Sequence, residues 1–217
     1  MRPASFRLTK QEQLFILLSQ SQFMFQPILQ HINRYISLNE TEEALVSEKL
    51  KYLQLKKKAL ILTEGKICSA NYFVVKGCLR MYFFDDKGVE QTTQFAIENW
   101  WISDYTSLEN RTPSGFQIQA VEISEVIAFE KNIEKELFDS VPKLERYFRL
   151  ILQRAYSAVQ TRTKFLHTLS REAQYHQFND AFPEFVQRVP QYMLASYLGF
   201  TPEFLSKIRA RKLKRIS

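Results

Sequence analysis

The apolar residues of this chain change their spacing twice, and that limits its possible folds more than any other feature. From Phe25 to Leu53 the spacing is helical: Ile28, Leu29, Ile32 and Ile36 form one stripe, and Leu45, Val46, Leu50 and Leu53 form a second after Asn39-Glu-Thr-Glu-Glu43. β-branched and aromatic runs follow at Ala59–Leu62, Tyr72–Val75, Leu79–Phe84, Gln91–Ile97 and Phe116–Phe129. Glu64-Gly65-Lys66, Lys76-Gly77, Asp85–Gly88 and Pro113-Ser-Gly115 break them with turn chemistry. Gln117, Gln119 and Glu122 alternate with Phe116, Ile118 and Val121, as in a strand with one wet face. Short strands at regular spacing predict an antiparallel sandwich or roll. Lys56-Lys-Lys58 reads as a solvated turn. Helical spacing returns near Pro142.

From there Leu144, Phe148, Ile151, Ala155, Ala158, Arg162, Phe165 and Leu169 are separated alternately by four and three residues. Such a seam is narrower than a stripe facing a domain core, and it predicts a self-pairing helix in a homodimer. Arg162 interrupts it, and Ala155 and Ala158 would let two helices come close. Ser170 before Glu172-Ala173 reads as a new helix start, which puts a hinge at Thr168–Arg171.

The stretch Gln191–Ile208, QYMLASYLGFTPEFLSKI, reads as two short helices joined by a tight turn. Leu194, Ala195 and Leu198 share a face, and Gly199 suits a left-handed helix end. Thr201 is an N-cap, and Pro202 occupies the first helical position, where its missing N–H costs nothing. Leu205 and Ile208 give the second helix its apolar face, and Ala195 is small enough for a close crossing. This is a helix-turn-helix pattern, whose second helix enters the DNA major groove. Thr201, Pro202, Glu203, Ser206 and Lys207 are the candidate reading face. Arg209, Arg211 and Lys212 are candidates for holding phosphates, in a tail from Lys207 to Arg215 with six cations and no acid.

Composition agrees with a polyanionic partner: over 217 residues the formal net charge is +7 and the pI about 9.3. Cys68 and Cys78 alone supply neither a disulfide framework nor a four-cysteine cluster, and they suit a reducing, cytoplasmic setting. No apolar run is long enough for a membrane helix, so no membrane partner is expected. The segment before Met24, an alternative start, reads as a ragged extension. His31, His167 and His176 all lie outside the strand region, which argues against a cupin-like metalloenzyme. No phosphate loop or nucleophile elbow occurs, and no catalytic residue, metal or other cofactor is expected.

The order of short helices, β-roll, long helix and helix-turn-helix, with Glu64-Gly65, Tyr72-Phe-Val-Val-Lys-Gly77 and Leu194–Ile208, resembles the cyclic-AMP receptor and fumarate–nitrate regulator (Crp/Fnr) family over Phe25–Ser217. The resemblance implies an α+β chain: an extension at 1–24, a cyclic-nucleotide-binding-like jelly roll at 25–140, a dimerisation helix at 141–169 and a winged-helix-like helix-turn-helix domain at 170–217. It implies a homodimeric transcription regulator, with double-stranded DNA and RNA polymerase as partners and a small-molecule effector in the roll. Pro202 stands where the family often carries arginine. Ser103-Asp104 stand where cyclic-nucleotide binders have Gly-Glu, and Ser114-Gly115 where they have the phosphate-binding arginine pair. Arg111 is three residues off, so cyclic-AMP binding is not expected. The aromatic residues Trp100, Trp101, Tyr105 and Phe116 are expected to fill the roll. If a pocket exists there, its candidates are Asp104, Ser107, Arg111, Ser114 and Phe116, suited to an apolar or neutral ligand. The alternatives are a cyclic-nucleotide regulator with a non-standard site, and a regulator with no small-molecule input.

Overall fold

The structure, a computed structural model, describes residues 24–214, with side chains for residues 24–211. Two short helices, α1 (residues 24–33) and α2 (Glu40–Lys49), precede the sheets. Asn39 starts α2 with a reciprocal cap: its side chain accepts from the Glu42 N–H at 2.9 Å, and the Glu42 carboxylate accepts from the Asn39 N–H at 2.8 Å.

The helical reading of Leu53 is corrected here. Leu50 ends α2 in extended backbone, and β1 (Lys51–Leu55) pairs antiparallel with a strand far along the chain, from Lys51 opposite Ala128 to Leu55 opposite Ser124. The other strands are β2 (Leu60–Leu62), β3 (Ala70–Lys76), β4 (Leu79–Phe84), β5 (Glu90–Ala96), β6 (Trp101–Ile102), β7 (Gln117–Ala120) and β8 (Ser124–Glu130). They form two four-stranded sheets of order β1-β8-β3-β6 and β2-β7-β4-β5, every pairing antiparallel. The run Phe116–Phe129 is therefore two strands, divided between the two sheets after Ala120. Gly77 joins β3 to β4 at φ 100°, and a Cβ there would lie 2.3 Å from Ser124 Oγ. The turn therefore demands glycine twice over, for its backbone angle and for its space.

A short helix, α3 (Tyr105–Asn110), interrupts the roll after β6. Helical structure returns earlier than Pro142, in α4 (Lys131–Ser140), directly after β8. The long helix α5 runs from Lys143 to Thr168. Then come α6 (Arg171–Ala181), α7 (Pro183–Arg188), α8 (Gln191–Leu198) and α9 (Pro202–Lys214). Ser170 caps α6 by accepting from the Ala173 N–H at 3.2 Å, and Pro183 opens α7. Among the described residues no strand follows β8, so the helix-turn-helix carries no β-wing there.

The apolar interior has three parts. Leu62, Val74, Leu79, Ile102, Ile118 and Val126 fill the space between the sheets with their neighbours. A second cluster joins α1 and α2 to Phe73, Trp101 and Ile127 of the roll and to Leu137, Leu144 and Tyr147 of α4 and α5. The third ties the C-terminal helices to the roll: Phe95 of β5 lies 5.1 Å from the ring of Phe185 and 5.3 Å from that of Tyr197. At about 1.5–3 kcal/mol for each buried large apolar side chain, this third cluster outweighs any one polar contact across the same junction.

Candidate nucleic-acid interface and effector region

The turn between α8 and α9 follows the local chemistry of its residues. Gly199 adopts φ 71°, and the Phe200 N–H reaches back to the Ala195 carbonyl at 2.8 Å. Thr201 Oγ1 accepts from the Phe204 N–H at 3.3 Å, which opens α9. Ala195, Leu205 and Ile208 are buried, so the two helices cross on their apolar faces. Thr201, Pro202, Glu203, Ser206 and Lys207 are all exposed on the opposite side. Arg209 is half-buried, and its charge bears on the Tyr175 hydroxyl of α6. Arg211 is exposed and approaches Glu172 of α6 at 3.9 Å. Lys212 lies farther along the same helix.

Polar contacts hold α8 to the roll. Ser196 Oγ accepts from the Thr92 N–H at 2.8 Å and donates to the Glu90 carbonyl at 2.7 Å, engaging the edge of β5. Arg188 of α7 is gripped by two carboxylates of the roll, Glu98 at 2.8 Å and Glu122. Glu98 also accepts from the Gly77 N–H at 2.8 Å. Partial burial opposes ionisation of Glu98, but the Arg188 bond and backbone N–H bonds prevail and bring its pKa down to about 2. Neither Ser196 nor Arg188 stands out in the sequence, because each acts on a partner that only the tertiary fold brings close.

The effector candidates form a satisfied turn rather than a pocket. Asp104 caps α3, one carboxylate oxygen accepting from the N–H groups of Thr106 and Ser107 at 3.1 and 3.2 Å. Its other oxygen accepts from Ser114 Oγ at 2.7 Å, so the two segments matched by sequence do meet in space. Ser107 Oγ donates to the Thr112 carbonyl at 2.6 Å and accepts from the Cys68 N–H at 2.8 Å. Arg111 is exposed and ends α3 in left-handed backbone at φ 57°. Phe116 is half-buried, edge-on to Phe83 with ring centres 5.9 Å apart. Asp104 and Ser107 thus spend their hydrogen-bonding capacity on the chain itself.

The aromatic filling is also corrected: mainly aliphatic side chains, with Tyr72 and Cys68 and not those four rings, occupy the roll. Trp101 belongs to the cluster beneath α5, while Trp100 and Tyr105 are exposed. The one buried lysine or arginine among the described residues, Arg80, is committed to Glu90 at 2.6 Å and to Gln119. Among the described residues no group of His, Cys, Asp or Glu is placed to hold a metal ion, and no helix is long and apolar enough to cross a membrane.

The seam on α5 splits between two environments. Leu144 is fully buried in the chain's own core, and Phe148 and Ile151 pack against it. Ala155 is exposed, whereas Ala158 and Phe165 line a cavity beside α6–α8. Leu169 is the half-buried C-cap. Arg162 is engaged within the chain: it donates to the carbonyls of Thr93 and Tyr197, each at 2.7 Å. One residue along, a different stripe is open to solvent, with Leu152 43%, Tyr156 64%, Val159 59% and Leu166 50% exposed. These too are spaced by four, three and then seven residues, a heptad seam in its own right.

Residues 52–140 match the family model for the cyclic nucleotide-binding domain. No curated protein matches the sequence. Among solved structures, FixK2 from Bradyrhizobium japonicum superposes with a TM-score of 0.64 at 15% identity, covering 76% of this chain and 85% of that one. A transcriptional regulator of the Crp/Fnr family from Eubacterium rectale gives 0.64 at 17%, covering 82% and 85%. The c-di-GMP responsive global regulator CLP of Xanthomonas campestris gives 0.65 at 11%, covering 82% and 92%.

Proposed function

We propose that this chain, which has the Crp/Fnr regulator fold with a cyclic nucleotide-binding domain over residues 52–140, is a sequence-specific DNA-binding transcription regulator acting as a homodimer. The observation that carries this reading is the division of α9. Leu205 and Ile208 anchor it, while Thr201, Pro202, Glu203, Ser206 and Lys207 face outward together. An ammonium at Lys207 reads guanine edges, and a carboxylate at Glu203 accepts from cytosine N4. Arg209, Arg211 and Lys212 hold backbone phosphates and fix the register.

Two α9 helices must reach successive major-groove faces, so the protein reads an inverted repeat. The exposed stripe Leu152, Tyr156, Val159 and Leu166 is the pairing face. Leu144 and Arg162, already committed inside the chain, are not part of it. The roll does not take cyclic AMP. The close aliphatic packing of its interior supports this, as does the engagement of Asp104, Ser114 and Arg80 with neighbouring groups. Solved structures that share this fold include regulators. Fluorescence anisotropy with duplex DNA at graded salt tests the proposal. Affinity falls with log[salt] at a slope of about −0.9 per phosphate contact, and Arg211→Ala reduces that slope by about one. A salt-independent signal, or none at all, overturns it.

A further inference from the structure

A cavity of about 530 Å³ opens between the middle of α5, the end of β5 with the turn that follows it, and α6–α8. Its walls are rings above all: Phe95, Trp100, Phe165, Phe178, Phe182 and Phe185. It is separate from the interior of the roll, and its volume falls in the range of about 300–1,000 Å³ that accepts compact organic ligands.

Two guanidinium groups, Arg154 and Arg162, are the charged groups of this largely aromatic wall, beside the neutral polar Ser157, Thr161, Gln174 and Gln177. Among the described residues neither is paired with a carboxylate. Arg154 donates to Tyr35 Oη at 2.5 Å and stacks over that ring, and Arg162 donates to two backbone carbonyls. Arg162 is half-buried and Arg154 is exposed at the cavity's edge; a cation beside aromatic faces is best completed by an anion, since charge-assisted bonds are about twice as strong as neutral ones. A polar dianion would waste the aromatic walls, and a neutral hydrocarbon would leave the charges unanswered.

We propose that this cavity is a ligand site for an apolar monoanion: an aryl or alkyl body carrying one carboxylate or sulfonate. The body lies among Trp100, Phe165, Phe178 and Phe182, and the acid faces Arg154. The proposal does not depend on the DNA reading, because binding alone is its readout.

The test uses the full chain and two probes with the same aromatic body, 1-anilinonaphthalene-8-sulfonate and the neutral N-phenyl-1-naphthylamine, followed by fluorescence and calorimetry. The sulfonate is expected to bind saturably, one per chain, about tenfold tighter than the neutral probe, and Arg154→Met to erase that preference. Ala181→Trp and Ser157→Trp each fill the cavity, and variants with native circular dichroism and unfolding midpoint should bind both probes at least about tenfold more weakly. Folded filling variants that bind as the unmodified chain does would overturn the proposal. So would equal affinity for the two probes.

Discussion

Arg162 lies over Tyr197, its guanidinium carbon 3.9 Å from the ring centre, and donates to that residue's own carbonyl at 2.7 Å. Its other arm reaches the Thr93 carbonyl at 2.7 Å. One cation of the long helix thereby joins β5 of the roll to α8 of the helix-turn-helix. Arg162→Met keeps much of the stem but leaves both carbonyls without this partner, at a cost of about 2–3 kcal/mol. Urea denaturation should register that loss while sedimentation still shows a dimer. Dissociation with unchanged stability would return Arg162 to the pairing seam.

The pairing stripe itself gives a second expectation. Val159 is already 59% exposed, so Val159→Asp removes no buried contact within the chain. It should yield folded monomers, because two carboxylates would face each other at the centre of the helix pair. Ile151→Asp should instead damage the chain's own core, where Ile151 packs. Sedimentation velocity with circular dichroism separates the two. A stable Val159→Asp dimer would reject the stripe.

Stability should depend on His31. Its Nδ1 lies 2.7 Å from the Tyr147 hydroxyl, which also receives the Trp101 N–H at 2.9 Å. With the Trp101 hydrogen directed at the hydroxyl oxygen, the Tyr147 O–H is free to donate to a neutral His31. Burial, helped by Arg34 and Arg154, brings the His31 pKa from its ordinary 6.5 down to about 4. The unfolded chain therefore binds the proton first as pH falls, and stability declines between pH 6.5 and 4 by about 2–3 kcal/mol. His31→Phe should flatten urea midpoints across that interval. An unchanged slope would show that other groups set it.

The Arg188 clamp acts at lower pH. Glu98 has its pKa lowered to about 2, so its contribution is complete above pH 4.5 and fades as pH falls towards 2. Arg188→Gln removes the cation shared by Glu98 and Glu122 and should loosen α6–α8 from the roll at neutral pH. Trp100, edge-on to Phe182 at 6.3 Å, reports this by fluorescence. Native Trp100 emission in a folded Arg188→Gln protein would mean the third apolar cluster holds the junction alone.

Legibility in the sequence followed the range of the interactions. The helix-turn-helix could be read because Gly199, Thr201 and Pro202 act on backbone within a few residues. The strands Leu79–Phe84 and Glu90–Ala96 could be read because their turns are equally local. β1 could not, since Lys51–Leu55 becomes a strand only by pairing with β8. α3 was hidden because it is six residues long and depends on the Asp104 cap. The seam read on α5 is partly taken up by the chain's own core, and the solvent-exposed apolar stripe lies one residue along. Neighbouring stripes on a helix differ by only about 100°, and both are apolar here. Which one faces outward is decided by Leu144 sinking into the core and Arg162 reaching Thr93 and Tyr197. The hydrogen bonds that join Asp104 to Ser107 and Ser114 had no counterpart in residue spacing.

The central claim, that α9 of a homodimer reads DNA sequence, is tested most directly by selection from a random duplex library with the intact chain and with Lys207→Ala. The unmodified chain should enrich an inverted repeat with half-sites one helical turn, about 34–36 Å, apart. Lys207→Ala should lose about 1–3 kcal/mol on that site and relax the preference at one base in each half. No enriched sequence, or the same motif selected equally well by Lys207→Ala, would contradict it.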